Sequence, residues 1–365
     1  MVRTRLLAAT LCALAGPQAL AQDAPSGQGP TVAVHGGAYL WFAFPVLGGN
    51  EQILDSHATF DLYAALLTVD ASLAGFDFHA EPRVRITKLR EYYPSNVWVE
   101  EIYLARSWEY GTARVGKTYS AFGHPWDDSF WGNIPCFDGL ALDPNFGASF
   151  AGERKAAGSF TLNYAAQYFV VDAQENYSLM LRDTVSVPGG RKRNMAVVRV
   201  EPGWRFSEAV SASLGLSGQY FLADLASAGA HDVWRAAADA SLNAGPVTAF
   251  FQYARQEGQS VTQFPIAAIP AGPGGPGTPA QVSAHNDYVW AGAEVKIGRF
   301  VPRYNFSLVK YRDAGVSEWI HAPGITVAVN DYVSVIGEFI VWPRDRAGAT
   351  ALLDESLNLI LYVHL

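Results

Sequence analysis

Residues 76–87 read Phe76-Asp77-Phe78-His79-Ala80-Glu81-Pro82-Arg83-Val84-Arg85-Ile86-Thr87. One set of alternate positions is Phe76, Phe78, Ala80, Pro82, Val84 and Ile86. The interleaved set is Asp77, His79, Glu81, Arg83, Arg85 and Thr87. In an extended chain successive side chains leave on opposite faces, so this stretch predicts a strand with one apolar and one wet face. The same period recurs downstream. Val210, Ala212, Leu214, Leu216 and Tyr220 alternate with Ser211, Ser213, Ser217 and Gln219. Phe160, Leu162, Tyr164, Ala166 and Tyr168 alternate with Ser159, Thr161, Asn163 and Gln167, and weaker copies run through 234–242 and 289–297.

The pattern predicts about sixteen strands, at 31–44, 57–70, 76–87, 97–108, 112–120, 147–153, 158–171, 193–206, 209–222, 232–243, 246–256, 286–297, 301–312, 318–329, 332–342 and 352–365. Fourteen or eighteen are the neighbouring counts. Alternation alone fits a soluble sandwich as well as a barrel, but the connections separate the two. Glu109-Tyr110-Gly111, Asn243-Ala244-Gly245 and Asn330-Asp331 are tight, whereas 45–56, 121–146 and 257–285 are long. Short turns at one end and long loops at the other are the pattern of an all-β, transmembrane antiparallel β-barrel. At the C-terminus Leu357, Leu359, Leu361, Val363 and Leu365 alternate with Asn358, Ile360, Tyr362 and His364. A last strand of this kind would pair with the first and leave no sheet edge in lipid.

Composition agrees. Charged residues are 16% and aromatics 13% of the chain, including 17 Tyr and 10 Trp, against about 25% charged in ordinary soluble domains. Residues 31–50 carry no Asp, Glu, Lys or Arg, but Gly36, Gly37, Pro45 and Gly48 interrupt them, which argues against a membrane-spanning helix. Arg3 and Arg5 precede the apolar run 6–15, then Pro17 and Ala19-Leu20-Ala21; this predicts a secretory leader over 1–21, cut after Ala21, with the barrel domain over 22–365. Cys12 lies in the leader, so the mature chain keeps only Cys136 and forms no intrachain disulfide. Removing Arg3 and Arg5 from 26 basic residues leaves 24 against 34 acidic ones, a net charge of about −10 that disfavours nucleic acid as a partner. Tyr39, Trp41, Phe42, Trp204, Trp319 and Trp342 are candidates for the aromatic belts at the two membrane surfaces.

The C-terminal alternation resembles the insertion signal of outer-membrane proteins, with Leu365 in place of the usual aromatic. The stretch Ala113-Arg114-Val115-Gly116-Lys117-Thr118-Tyr119-Ser120-Ala121-Phe122-Gly123, leading into Trp126-Asp127-Asp128-Ser129-Phe130-Trp131-Gly132, resembles the fifth strand and third loop of the Gram-negative outer-membrane porin family, general or phosphate-selective. The architectural resemblance spans the mature chain; the local motif covers only this part. It implies that the third external loop, 121–146, folds into the lumen and narrows it. Its acids are Asp127, Asp128, Asp138 and Asp143, and its bulky residues include Trp126, Phe130, Trp131 and Phe137. The basic wall facing it would come from Arg83 and Arg85, whose phase is polar, and from Arg106, Arg114 and Lys117, whose phase is ambiguous. Opposed charges across a narrow aqueous passage create a transverse field that orients dipolar solutes. The implied function is passive diffusion of small hydrophilic solutes or ions through the outer membrane, by a homotrimer in outer-membrane lipid, with no cofactor and no chemical step. The plainer reading stays open: solvated loop acids, an Arg83–Glu81 bridge that only holds strands in register, and loop tryptophans that only pack.

Signals for chemistry are weak. The eight histidines show no zinc-like spacing. Gly272-Pro273-Gly274-Gly275-Pro276-Gly277 lacks the amide donors and the following helix of a phosphate loop, and no Gly-x-Ser-x-Gly elbow occurs. A barrel enzyme, a hydrolase, is the alternative of another class, and His124 with Asp127 and Ser129 is the only cluster for it. A substrate-selective or hydrophobic-solute transporter is the other alternative; an N-terminal plug has no room before residue 31.

Overall fold

The computed structural model describes residues 30–47, 59–86, 97–124, 144–156, 158–172, 190–225, 229–258, 285–313, 315–346 and 349–364. Residues 1–29 and most of the third loop lie outside them. Sixteen strands form one antiparallel sheet: β1 (Thr31–Leu47), β2 (Thr59–Leu73), β3 (Phe76–Ile86), β4 (Val97–Trp108), β5 (Gly111–Tyr119), β6 (Pro144–Lys155), β7 (Phe160–Asp172), β8 (Gly190–Arg205), β9 (Val210–Leu225), β10 (Gly229–Ala244), β11 (Val247–Gly258), β12 (Asn286–Val295), β13 (Phe300–Tyr311), β14 (Val316–Ala328), β15 (Val333–Arg346) and β16 (Ala349–His364). Each strand pairs with its sequence neighbours, and β16 pairs with β1 to close the barrel. All sixteen strands predicted from the alternation are present, with ends shifted by a few residues.

At the end that holds both termini the strands join through 74–75, 109–110, 156–159, 206–209, 245–246, 296–299 and 329–332. The turn at Ala74-Gly75 has positive φ at both residues, 53° and 78°, the backbone twist that suits a two-residue hairpin. The connections at the opposite end are 48–58, 87–96, 120–143, 173–189, 226–228, 259–285, 312–315 and 347–348, the first four and 259–285 long and the other three short.

The two faces follow the sequence phase. Val198, Val200, Leu214 and Leu216 are exposed on the outside, while Val197, Arg199, Ser217 and Gln219 between them are buried inside. In hydrocarbon such an outer face meets lipid at no cost, whereas an unpaired backbone group would cost several kcal/mol, which closure avoids. Exposed outer aromatics gather near the short-turn end, at Trp108, Tyr110, Phe206 and Tyr332, and nearer the other end, at Tyr168, Tyr220, Trp234 and Tyr253. Trp204 joins the first group, its ring edge-on to Phe160 at 5.8 Å.

Tyr39 and Trp41 do not belong to these belts. Trp41 is 1% exposed, and its Nε1 donates to Asn358 Oδ1 at 3.1 Å. Tyr39 stacks on the buried Tyr362 with centroids 4.1 Å apart. Their rungs face Ile360 and Tyr362 of the last strand, so they fasten the closing seam from the inside. Outward along that seam run Leu357, Leu359, Leu361 and Val363, alternating with the buried Asn358, Ile360 and Tyr362.

Leu216→Arg places a cation on the lipid face and is expected to cost about 2–4 kcal/mol of folding stability if the site is near the bilayer midplane. Urea unfolding from lipid vesicles measures it; an unchanged midpoint would contradict the outward assignment.

Candidate functional site

The chain turns into the barrel as soon as β5 ends. Ala121 N donates to Gln167 Oε1 at 2.6 Å, and Gln167 Nε2 donates to Tyr119 O at 3.0 Å. One side-chain amide on β7 thus bonds the backbone as a neighbouring strand would. Gln219 Nε2 of β9 donates to Ser120 Oγ at 3.2 Å, and Gly123 N donates to Ser217 Oγ at 3.1 Å. His124 N reaches Gln252 Oε1 of β11 at 2.5 Å. The His124 ring lies parallel to Phe250, centroids 4.6 Å apart, and edge-on to Trp290 of β12 at 5.6 Å. Residues 120–124 therefore cross the interior from β5 to the β11–β12 wall, as the third loop is expected to do.

Two glycines permit this path. Gly123 has φ +73°, and a Cβ there would lie 2.6 Å from Gln252 Oε1. Gly292 leaves the slot for Phe250, whose ring would be 2.5 Å from an added Cβ.

Arg83 points inward as its phase predicts, held by Glu81 (Nε to Oε1, 2.6 Å) and near Glu100 (3.8 Å). Glu100 owes its position to a β-bulge: Ala80 pairs with Ile102 but Pro82 with Val99, so β4 carries one extra residue and buries both Glu100 and Glu101. Glu100 also accepts from Trp98 Nε1 at 2.7 Å and from the Tyr119 hydroxyl; Glu101 accepts from Tyr119 N at 3.3 Å. Below them Asp70 bonds His79 at 2.7 Å, and His79 stacks on Tyr103. Arg114 lies over the Tyr103 ring at 5.2 Å, on this same inner wall.

The other sequence candidates divide. Arg106 is corrected: it shares the outer face with Leu104, and its guanidinium lies 5.0 Å from the Phe76 ring and 5.7 Å from Trp108. The phase of β4 after its bulge, set by the outward Leu104, leaves it no route to the lumen. Lys117 is fully buried, with Nζ donating to Val99 O and lying 6.0 Å from the Phe146 ring. Arg85 lies in β3, but its side chain falls outside the described residues, as do Trp126, Asp127, Asp128, Trp131, Asp138 and Asp143.

Sequence reasoning passed over the charges of the far wall. Arg199 grips Asp239 with two bonds of 2.6 and 2.8 Å and also reaches Glu201 Oε2 at 3.2 Å and Ser217 Oγ at 3.0 Å. A side chain at Gly215 would collide with this pair. Arg235 donates to Gln256 at 2.8 Å and Gln219 at 3.0 Å and covers the Phe221 ring. Lys192 and Arg303 are buried on the same side. Their alternation phase was the available signal, since Arg235, Ala237 and Asp239 interleave with the outward set of β10. Among the described residues, the β2–β4 wall carries Asp70, Asp77, Glu81, Glu100 and Glu101 against Arg83. The β8–β13 wall carries Lys192, Arg199, Arg235 and Arg303 against Glu201, Asp239 and Glu294. The lumen is electrically two-sided, but Arg83 lies on its acidic side.

No family model matches the sequence, and no curated protein matches it. Solved structures do. The outer membrane channel DcaP of Acinetobacter baumannii is 12% identical at TM-score 0.60, with 93% of this chain and 99% of that one covered. The anion-selective porin of Comamonas acidovorans is 11% identical at 0.59, covering 92% and 100%. The trimer form of the outer membrane protein OmpT of Vibrio cholerae is 10% identical at 0.57, covering 93% and 100%. Over the matched length the chain thus has the fold of the Gram-negative outer-membrane porins. At these identities it is the barrel that is shared.

Each neutral hydrogen bond to the crossing segment is worth about 1 kcal/mol. The double variant Gln167→Ala, Gln252→Ala is expected to loosen the segment and raise single-channel conductance in planar bilayers with the barrel still folded. Conductance equal to the parent would show that these amides do not position it.

Proposed function

We propose that the chain is an outer-membrane porin, an energy-independent channel for small hydrophilic solutes or ions, exported by a leader cleaved after Ala21. The observation that carries this reading is the closed barrel with an apolar outside, a charged inside and a backbone segment spanning the interior. Its neighbours in fold, a channel and a porin among them, support it. The segment from 121 acts as the constriction, with its acids Asp127, Asp128, Asp138 and Asp143 and Trp126 and Trp131 at the passage. Arg83, Arg85 and Arg114 belong to the wall around it, whereas the rung of Lys117 with Ile102 puts it in the outward phase of Leu104 and Val115. No step of the reading needs a cofactor. Among the described residues the ring of His124, the centre of the alternative hydrolase reading, stacks on Phe250 and lies edge-on to Trp290; Asp127 and Ser129 fall outside them.

Assembly as a homotrimer is part of the proposal, supported by the trimer form of the Vibrio protein. The outer rim of β7–β12 carries Tyr168, Tyr220 and Tyr253 with the pairs Arg193–Asp224 and Arg255–Glu257. The corresponding rim of β1–β4 exposes Phe44, Val46, Val84 and Val97 instead. A rim whose described residues present no outward Tyr, Trp or charged pair suits contact with a second copy better than contact with lipid headgroups.

Liposome swelling in graded sugars tests the channel: permeation that falls with solute size is expected, and vesicles as tight as protein-free ones would refute it. Arg83→Gln leaves Glu81 and Glu100 without their cation and is expected to move the bilayer reversal potential toward cation preference. An unmoved potential would remove Arg83 from the conducting path.

A further inference from the structure

At the loop end of the barrel, outside the membrane-spanning part, His285 immediately precedes β12. Its Nδ1 is 2.7 Å from Asp313 Oδ1 and its Nε2 is 3.2 Å from Glu257 Oε2. Its backbone N also donates to Asp313 Oδ2 at 3.1 Å. A neutral imidazole has one N–H, so it can satisfy only one of two carboxylates; the second would face a lone pair. Only the imidazolium donates to both. The carboxylates come from different elements, Glu257 from the end of β11 and Asp313 from the β13–β14 connection.

The surrounding charges hold those carboxylates ready. Arg312 reaches Glu257 Oε1 at 2.6 Å and Asp287 Oδ2 at 3.3 Å, and Arg255 reaches Glu257 Oε1 at 2.6 Å. Lys310 shares a rung with Asp287. The charged groups facing His285 from the described elements packed on it are thus Glu257 and Asp313 directly, with Arg255, Arg312, Asp287 and Lys310 behind them. Backbone bonds complete the join: Arg312 N donates to His285 O at 2.9 Å, and Gly315 N donates to Tyr311 O at 2.9 Å.

We propose that His285 is a proton-operated clasp that ties the end of β11 and the start of β12 to the β13–β14 connection. With the imidazolium present, one proton bonds each carboxylate and three strand ends are held together. As pH rises and that proton leaves to solvent, one ring nitrogen turns a lone pair on a carboxylate and the contact opens. The sign is fixed by this arrangement: the clasp contributes stability while the histidine is charged and loses it on the alkaline side. It fails again in strong acid, when Glu257 and Asp313 take up protons. The clasp is independent of conduction, so a barrel that proved impermeable would still test it.

The test is amide hydrogen exchange at Arg312 and Gly315 in the full chain in detergent, corrected for the intrinsic effect of pH on exchange. Protection at about pH 6 is expected to exceed that at about pH 8.5 by roughly fivefold, the scale of one exposed charge contact. His285→Gln keeps one donor and is expected to give low protection at both values. Asp313→Asn removes one of the two anions and is expected to lower protection at about pH 6 toward that at about pH 8.5. Protection that does not vary with pH in the parent, a pH dependence retained in His285→Gln, or undiminished protection at about pH 6 in Asp313→Asn would each overturn the clasp. Should His285→Gln fail to form a barrel, Asp313→Asn decides alone.

Discussion

Everything in this fold depends on the backbone bonding itself completely. In a bilayer no water reaches an open strand edge, so a sheet that spans it must close, and closure requires the last strand to find the first. Here that join runs from Gly37 opposite His364 to Leu47 opposite Glu355. Its outer face is leucine and valine, and its inner face is stitched by Trp41 with Asn358 and by the Tyr39–Tyr362 stack. The polar closure and the apolar exterior are the same constraint seen from two sides.

Once closed, the barrel turns every polar phase inward, and the interior must be organised by hydrogen bonds instead of hydrophobic packing alone. The backbone of 119–124 needs partners there, and it finds them in amide and hydroxyl side chains on alternate strands, Gln167, Ser217 and Gln252, while Gln219 holds the Ser120 hydroxyl. These are neutral groups, so their hold on the segment does not depend on ionisation. The aromatic contact of His124 with Phe250 and Trp290 adds a dry anchor at the far wall, and Gly123 and Gly292 make the approach possible.

Charge is distributed with equal consequence. Arginines on the inner walls are gripped by carboxylates or amides, as Arg199 is by Asp239 and Arg83 by Glu81, which keeps buried charge compensated. What is left is a difference between walls: carboxylates dominate β2–β4 and cations are concentrated on β8–β13. A field across the passage results from strand placement and needs no single dominant residue.

The strands, a count near sixteen, and which phase of each meets lipid were legible in the sequence alone, because period-two alternation is a local property that survives without knowledge of neighbours. So were the inward position of Arg83 and the inward turn after Tyr119, the second through family resemblance. Only the tertiary structure decided the rest. The bulge that sends both Glu100 and Glu101 inside is a mismatch between β3 and β4, invisible in either strand alone. That register puts Arg106 outside against Phe76, and the separate pairing of β1 with β16 sets Tyr39 and Trp41 inside. Arg199 meets Asp239, and Glu257 meets His285 and Asp313, across separations that alternation cannot rank. Faces are written one strand at a time, whereas partners are chosen by how strands slide past one another when the sheet closes.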